Sequence, residues 1–178
     1  MLRTMRMAAI CAASIIFFST APSMAAENMR VASLTTGQIA DRVVVLKGDR
    51  RLVVMKGDRV LRIFRIALGR YPKGHKRREG DAKTPEGFYT LDYKLEDSAF
   101  FRAIHISYPN RRDLARAEAK GVSPGGKIMI HGLPNDMSAE DVGHPWIDWT
   151  QGCIAVTNRE MKELWSMIRP GTPIEIHP

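Results

Sequence analysis

Two side chains in the second half of the sequence carry the chemistry: Cys153, in Thr150-Gln151-Gly152-Cys153, and His131, in Ile128-Met129-Ile130-His131-Gly132. A free thiol has a pKa of roughly 8.5 and needs a neighbouring base to act as a nucleophile at neutral pH. An imidazole supplies one. Each reactive residue has a glycine beside it, Gly152 before the cysteine and Gly132 after the histidine, and glycine lets backbone approach a substrate closely. An amide of Gly152 or Cys153 aimed at a developing oxyanion would complete the set, so the group reads as acyl-transfer chemistry.

Positioning these residues falls to short strands. Lys127–Ile130 is an apolar run that delivers His131 at its end, and Ile154–Val156 is a second run that begins just past Cys153. Upstream, residues 43–46, 52–55 and 60–68 are β-rich runs separated by Lys47-Gly48-Asp49-Arg50 and Lys56-Gly57-Asp58-Arg59, which predicts a meander. The repeated KGDR is read as turn chemistry, with glycine supplying positive φ and aspartate capping the turn. Residues 69–80 form a basic loop, GRYPKGHKRREG, in which His75 reads as a surface histidine. Pro85 and Gly87 then set a tight turn before a strand over 88–93.

A further strand is predicted over 103–107, with His105 as a structural, hydrogen-bonded histidine, followed by a short polar helix over 112–120 that Gly121 stops. Between His131 and Cys153 lies a long acidic loop, residues 133–149, carrying Trp146 and Trp149. Loops of that length inside a compact domain are usually functional. It reads either as a lid or as a packing segment with its tryptophans buried. After the cysteine, Thr157 and Glu160 form a capping box ahead of Met161, Leu164, Trp165 and Ile168 at helical spacing, and a closing strand follows over 173–176. Strands dominate, so the expected fold is a mostly β single domain with peripheral helices.

Residues 1–25 read as a cleaved secretory leader: Arg3 and Arg6, an apolar core over 7–18 too short for the roughly 20 residues of a membrane span, and Ser23-Met24-Ala25 as a cleavage site. Residues 26–40 read as a linker. Of the two cysteines, Cys11 lies in the leader, which leaves Cys153 without a partner for an internal disulfide in an oxidising compartment. Without the leader, 25 basic residues face 19 acidic ones, a net charge of +6. A basic surface outside the cytoplasm suits an anionic wall polymer or a membrane surface, and no nucleic-acid-binding pattern is present.

The stretch from His131-Gly132 to Thr150-Gln151-Gly152-Cys153 resembles the signature of the L,D-transpeptidase catalytic domain family (YkuD-like). So does Gly80-Asp81 with Thr84-Pro85-Glu86-Gly87 and Tyr89, and so does Ile106-Ser107-Tyr108-Pro109-Asn110. Gln151 stands where the family usually has a second histidine, and Ala155 where an arginine or asparagine is common. The resemblance covers residues 41–178 and implies a β-sandwich with Cys153 as nucleophile and His131 as base. Gly152 and Gly132 take oxyanion or orienting roles, and Thr150, Gln151, Trp149 and Tyr108 are assigned to substrate binding.

The implied reaction is attack on the L-to-D peptide bond of a peptidoglycan stem in the periplasm or wall, with no cofactor and a monomer as the working unit. The resulting thioester passes to a diaminopimelate amine, to an outer-membrane protein, or to water. A zinc site built on His131, His144 and Cys153 lacks the closely spaced ligand pair such sites carry. A papain-like site runs cysteine before histidine, the reverse of the order here. A non-catalytic wall-binding module remains the alternative from another class.

Overall fold

The computed structural model describes residues 37–178. The expected leader and residues 26–36 of the expected linker lie outside the described residues. Ala40, still within that linker, is already part of the domain: it is buried, and its N–H donates to the Met167 carbonyl at 2.8 Å.

Among the described residues eight strands form one sheet: β1 (Arg42–Leu46), β2 (Arg51–Lys56), β3 (Arg59–Arg65), β4 (Gly87–Ser98), β5 (Phe101–Ile106), β6 (Met129–His131), β7 (Ile154–Ala155) and β8 (Thr172–His177). Helix α1 (Arg111–Glu118) lies between β5 and β6, and α2 (Asn158–Met167) between β7 and β8. The spatial order is β3-β2-β1-β8-β4-β5-β6-β7. The first three strands are the expected meander, and their period-2 alternation sends Val43, Val45, Leu52 and Val54 inward. Strand β8 enters the middle, parallel to β1 and antiparallel to β4.

Isolated bridges join Ala67 to Ala155 and Gly69 to Thr150, so the chain leaving β3 at one edge of the sheet meets β7 at the other. The expected sandwich-like layering is thus made by one sheet curling on itself. Inside the curl lie Leu52, Ile66, Leu91, Ile104, Ile130 and Ile154, with Met161 and Leu164 of α2 and Ile168 just past its end sealing it. Each such side chain contributes about 1.5–3 kcal/mol on burial. The capping box opens α2 as expected: the Glu160 N–H donates to Thr157 Oγ1 (3.3 Å) and the Thr157 N–H to Glu160 Oε2 (2.9 Å).

Three local expectations change. Strand β4 runs to Ser98 rather than residue 93, and its outer half, DYKLEDS, is largely exposed and so carries no inward apolar pattern. The first KGDR is more than a turn. Lys47 is buried and donates to the carbonyls of Gly74 (2.9 Å) and Thr84 (3.0 Å) and to Glu86 Oε1 (2.7 Å), while Arg50 Nη2 pairs with Asp148 Oδ2 at 2.7 Å. One turn therefore fastens both long loops. The second KGDR is the plain turn, with Gly57 at φ +56°.

His75 is not a surface residue either. Its Nδ1 accepts the Glu86 N–H (2.9 Å) and its Nε2 lies 3.0 Å from the buried Asp113 carboxylate, pinning the basic loop to α1. His105 is structural as expected, half-buried, 2.7 Å from Asp92 Oδ1 and stacked on Tyr93.

Candidate active site

Strands β6 and β7 are parallel neighbours in which Ile130 faces Ile154 and His131 faces Ala155. Continuing that register one residue back places Cys153 beside Met129. Successive side chains on a strand alternate faces, so Ile130 and Ile154 enter the core while Met129, His131 and Cys153 share the opposite face. There they open on a cleft of about 500 Å³, lined also by Arg70, Leu95, Ser98, Phe100, Lys127, Trp149 and Gln151.

The thiol is held from two sides. The Met129 N–H donates to Sγ at 3.4 Å, and the S–H points at the Lys127 carbonyl, 3.7 Å away. Burial pushes the Cys153 pKa up, against the Met129 amide and the charge of Lys76, which both pull it down. The resting group is a thiol.

His131 is buried with Phe100 packed on its ring (centroids 4.5 Å apart) and Trp149 edge-on at 5.6 Å. Burial lowers its pKa to about 4, with the Gly132 carbonyl opposing the fall and nearby His144 adding to it. Nδ1 lies 2.7 Å from the Gly132 oxygen. A carbonyl only accepts, so Nδ1 carries the proton and Nε2 keeps its lone pair. A neutral imidazole with a bare Nε2 is the form that takes a proton from a thiol.

Gly132 thus orients the histidine through its carbonyl. Its own amide is taken by the carbonyls of Phe100 (3.1 Å) and Arg102 (3.2 Å). A side chain there would place Cβ 2.5 Å from Asn158 Oδ1. Gly152 sits at φ +130°, and a Cβ would lie 2.6 Å from the Lys83 carbonyl oxygen, so no other residue fits the turn before the cysteine. The Gly152 amide donates to Thr150 Oγ1 (3.1 Å), so it is already engaged within the turn.

The expected substrate-binding residues divide. Gln151 is exposed on the cleft and Trp149 forms part of its wall. Thr150 borders the cleft, but its hydroxyl donates to the Cys153 carbonyl (2.7 Å) and accepts from Gly152, which makes it the staple of the turn. Tyr108 is a correction. It is buried in the core with its hydroxyl on the Pro124 carbonyl (3.1 Å), away from the cleft, because the strand β5 that leads to it is a core strand. Trp146 is 78% exposed beneath the Arg65 guanidinium and does not line the cleft. Phe100, Arg70 and Lys127 were not legible in the sequence. Phe100 sits in the β4–β5 hairpin turn, and only the fold brings it across His131.

Comparison with known proteins agrees with this fold. The model of the L,D-transpeptidase catalytic domain family, YkuD, matches residues 40–176. YafK of Escherichia coli K12, provisionally named an L,D-transpeptidase, is 31% identical over 114 residues, 59% of this chain and 39% of the relative. The chain therefore spans about two-fifths of that relative's length. Among solved structures, the helical cell shape determining protein Pgp2 from Campylobacter jejuni superposes with a TM-score of 0.57 at 25% identity, covering 85% of this chain and 55% of Pgp2. The L,D-transpeptidase of Enterococcus faecium, solved as its C442S mutant, shares the fold at a TM-score of 0.53 and 18% identity, over 79% of this chain and 50% of that one. With the matched segment running from ahead of β1 to one residue short of the end of β8, the chain belongs to the L,D-transpeptidase catalytic domain family.

Proposed function

We propose that Cys153 and His131 carry out acyl transfer on a peptidoglycan stem peptide, in the periplasm or wall of an exporting cell. The observation that carries this reading is the 2.7 Å contact of His131 Nδ1 with the Gly132 carbonyl, which leaves Nε2 as a base in the cleft that holds the thiol. Sγ bonds to the carbonyl carbon of the L-to-D peptide bond as the thiol proton passes to Nε2. The Cys153 amide receives the developing oxyanion. Collapse breaks the C–N bond, Nε2 returns the proton to the departing nitrogen, and the terminal D-residue leaves behind a thioester.

An amine then attacks the thioester. The new C–N bond replaces C–S, and the amine proton travels through Nε2 back to sulfur. The aromatic wall of Phe100 and Trp149 favours an amine over water, since it shields the thioester until an acceptor arrives. Arg70 and Lys127 at the rim suit a substrate with carboxylates. A stem-peptide amine gives a 3-3 cross-link, and a protein amine tethers that protein to the wall. The test incubates the protein with disaccharide-tetrapeptide and follows products by mass spectrometry. Dimers support transfer between stems, tripeptide alone moves the reaction to hydrolysis, and a Cys153→Ala variant that still turns over removes the thiol from the mechanism.

A further inference from the structure

Beside the cleft runs a second and larger concavity, of about 620 Å³, lined by Tyr71, Arg77, Arg78, Asp81, Lys83 and Lys120 together with Gly80 and Val122. Its charges do not cancel locally. Asp81 is the one carboxylate in the lining, and both its oxygens are occupied. Oδ1 takes Lys76 Nζ (2.8 Å) and the Lys83 amide (3.1 Å), and Oδ2 takes the amides of Arg77 (2.7 Å) and Arg78 (3.1 Å). Lys76 is buried in that pair, and Lys83 Nζ is committed to the Lys73 carbonyl (2.8 Å). The nearby Glu79 carboxylate accepts the Ser123 hydroxyl (3.1 Å). Among the described residues, the exposed Arg77, Arg78 and Lys120 have no anionic partner at their side chains.

Both walls of this groove lead into the cleft. On one side Arg70 borders the cleft and Tyr71 the groove, Arg70 N–H donates to the Thr150 carbonyl (3.1 Å), and the Lys83 carbonyl lies against Gly152. On the other, the segment from Lys120 and Val122 continues through Gly125, packed on Glu79, to Lys127, whose carbonyl faces the thiol. A ligand seated on the cations therefore lies on the same molecular track as the reacting atoms. The concave shape admits an extended chain and not the flat face of a bilayer.

We propose that this groove is a binding subsite for the carboxylate-bearing arm of the peptide substrate, held by Arg77, Arg78 and Lys120. The inference rests on the reading that Cys153 acts on peptides, and adds what selects them. Exposed charge pairs are individually weak, so the three act together and the binding is salt-dependent.

The test compares the full chain with an Arg77→Ala, Arg78→Ala, Lys120→Ala triple variant, all three residues being exposed. Binding is titrated with disaccharide-tetrapeptide, with the same compound after amidation of its carboxylates, and with phosphatidylglycerol vesicles. The expected result is a loss of about tenfold in affinity from either the triple substitution or the amidation, with KM rising in step and kcat held. Alkylation of Cys153 by iodoacetamide stays unchanged, which separates a lost subsite from a disturbed cysteine turn. Equal affinity of variant and parent, or vesicle binding that alone depends on the three cations, overturns the subsite. A tetrapeptide bound through the three cations without thioester formation leaves the subsite standing and removes the reaction instead.

Discussion

His131 Nδ1 and the Gly132 carbonyl oxygen, adjacent in sequence, meet at 2.7 Å in a buried setting, so the hydrogen bond that fixes the histidine's tautomer comes from main chain. No carboxylate is needed to fix its tautomer. With His131 depressed to about 4 and the Cys153 thiol raised by burial, the pair rests as neutral imidazole and thiol. Iodoacetamide labelling of Cys153 should therefore climb with pH into the range above an ordinary thiol. A plateau of high reactivity between pH 4 and 7 would indicate a thiolate–imidazolium pair and contradict this assignment. His131→Asn should slow labelling at neutral pH while leaving the circular dichroism spectrum intact.

The same depression makes a stability statement. Between pH 6.5, where an unfolded histidine titrates, and about 4, where His131 does, the unfolded chain binds the additional proton, so stability falls as pH falls through that window. Urea midpoints measured from pH 7 to pH 4 should drop in the parent protein and drop less in His131→Asn. Parallel slopes would mean that other groups carry the acid sensitivity.

Gly152→Ala places a methyl 2.6 Å from the Lys83 carbonyl oxygen at a φ that disfavours side chains, and neither atom belongs to a flexible tip. A loss of roughly 1–3 kcal/mol is expected from the backbone strain. Turnover should fall further than stability, because the turn carries Cys153. Thermal melts beside single-turnover acylation separate the two effects.

The sequence displayed the strands with alternating inward residues, the capping box of α2, and the two glycine-flanked residues that the fold brings to one cleft, His131 and Cys153, since period-2 patterning and flanking glycines are local signals. What it hid was long-range. Lys47 looks like a turn residue because nothing near it announces Glu86, and Phe100 is one apolar residue in a hairpin until the sheet curls it over His131. Tyr108 misled for a related reason: a tyrosine in a motif reads as functional, yet its neighbours Ile104 and Ile106 already marked a core strand.

Lys47→Met removes a buried ammonium from Glu86 and from the carbonyls of Gly74 and Thr84. Burial holds the lysine pKa down while Glu86 opposes it, so the site tolerates the charge only through these partners. A loss of about 1–3 kcal/mol is expected, with part recovered when Glu86→Gln is added, because the pair is coupled. A double-mutant cycle with purely additive costs would show that the two residues act independently.

Arg50→Ala frees Asp148, whose Oδ1 also accepts the Leu68 N–H at 2.9 Å. The loop over 133–149 should then become a preferred site of limited proteolysis, and labelling of Cys153 should change because Trp149 adjoins the released aspartate. Protease resistance equal to the parent would place the loop's anchoring elsewhere.

Strand β8 lies between β1 and β4, and without it the sheet is two fragments with no shared ladder. The one continuous ladder from β3 to β7 therefore passes through residues 172–177, while the bridges of Ala67 to Ala155 and of Gly69 to Thr150 join the two halves a second time. The β6–β7 pairing that sets Cys153 beside Met129 and His131 lies wholly on the β4 side of that joint, so a lesion in β8 should loosen the meander from this half before it parts the two side chains.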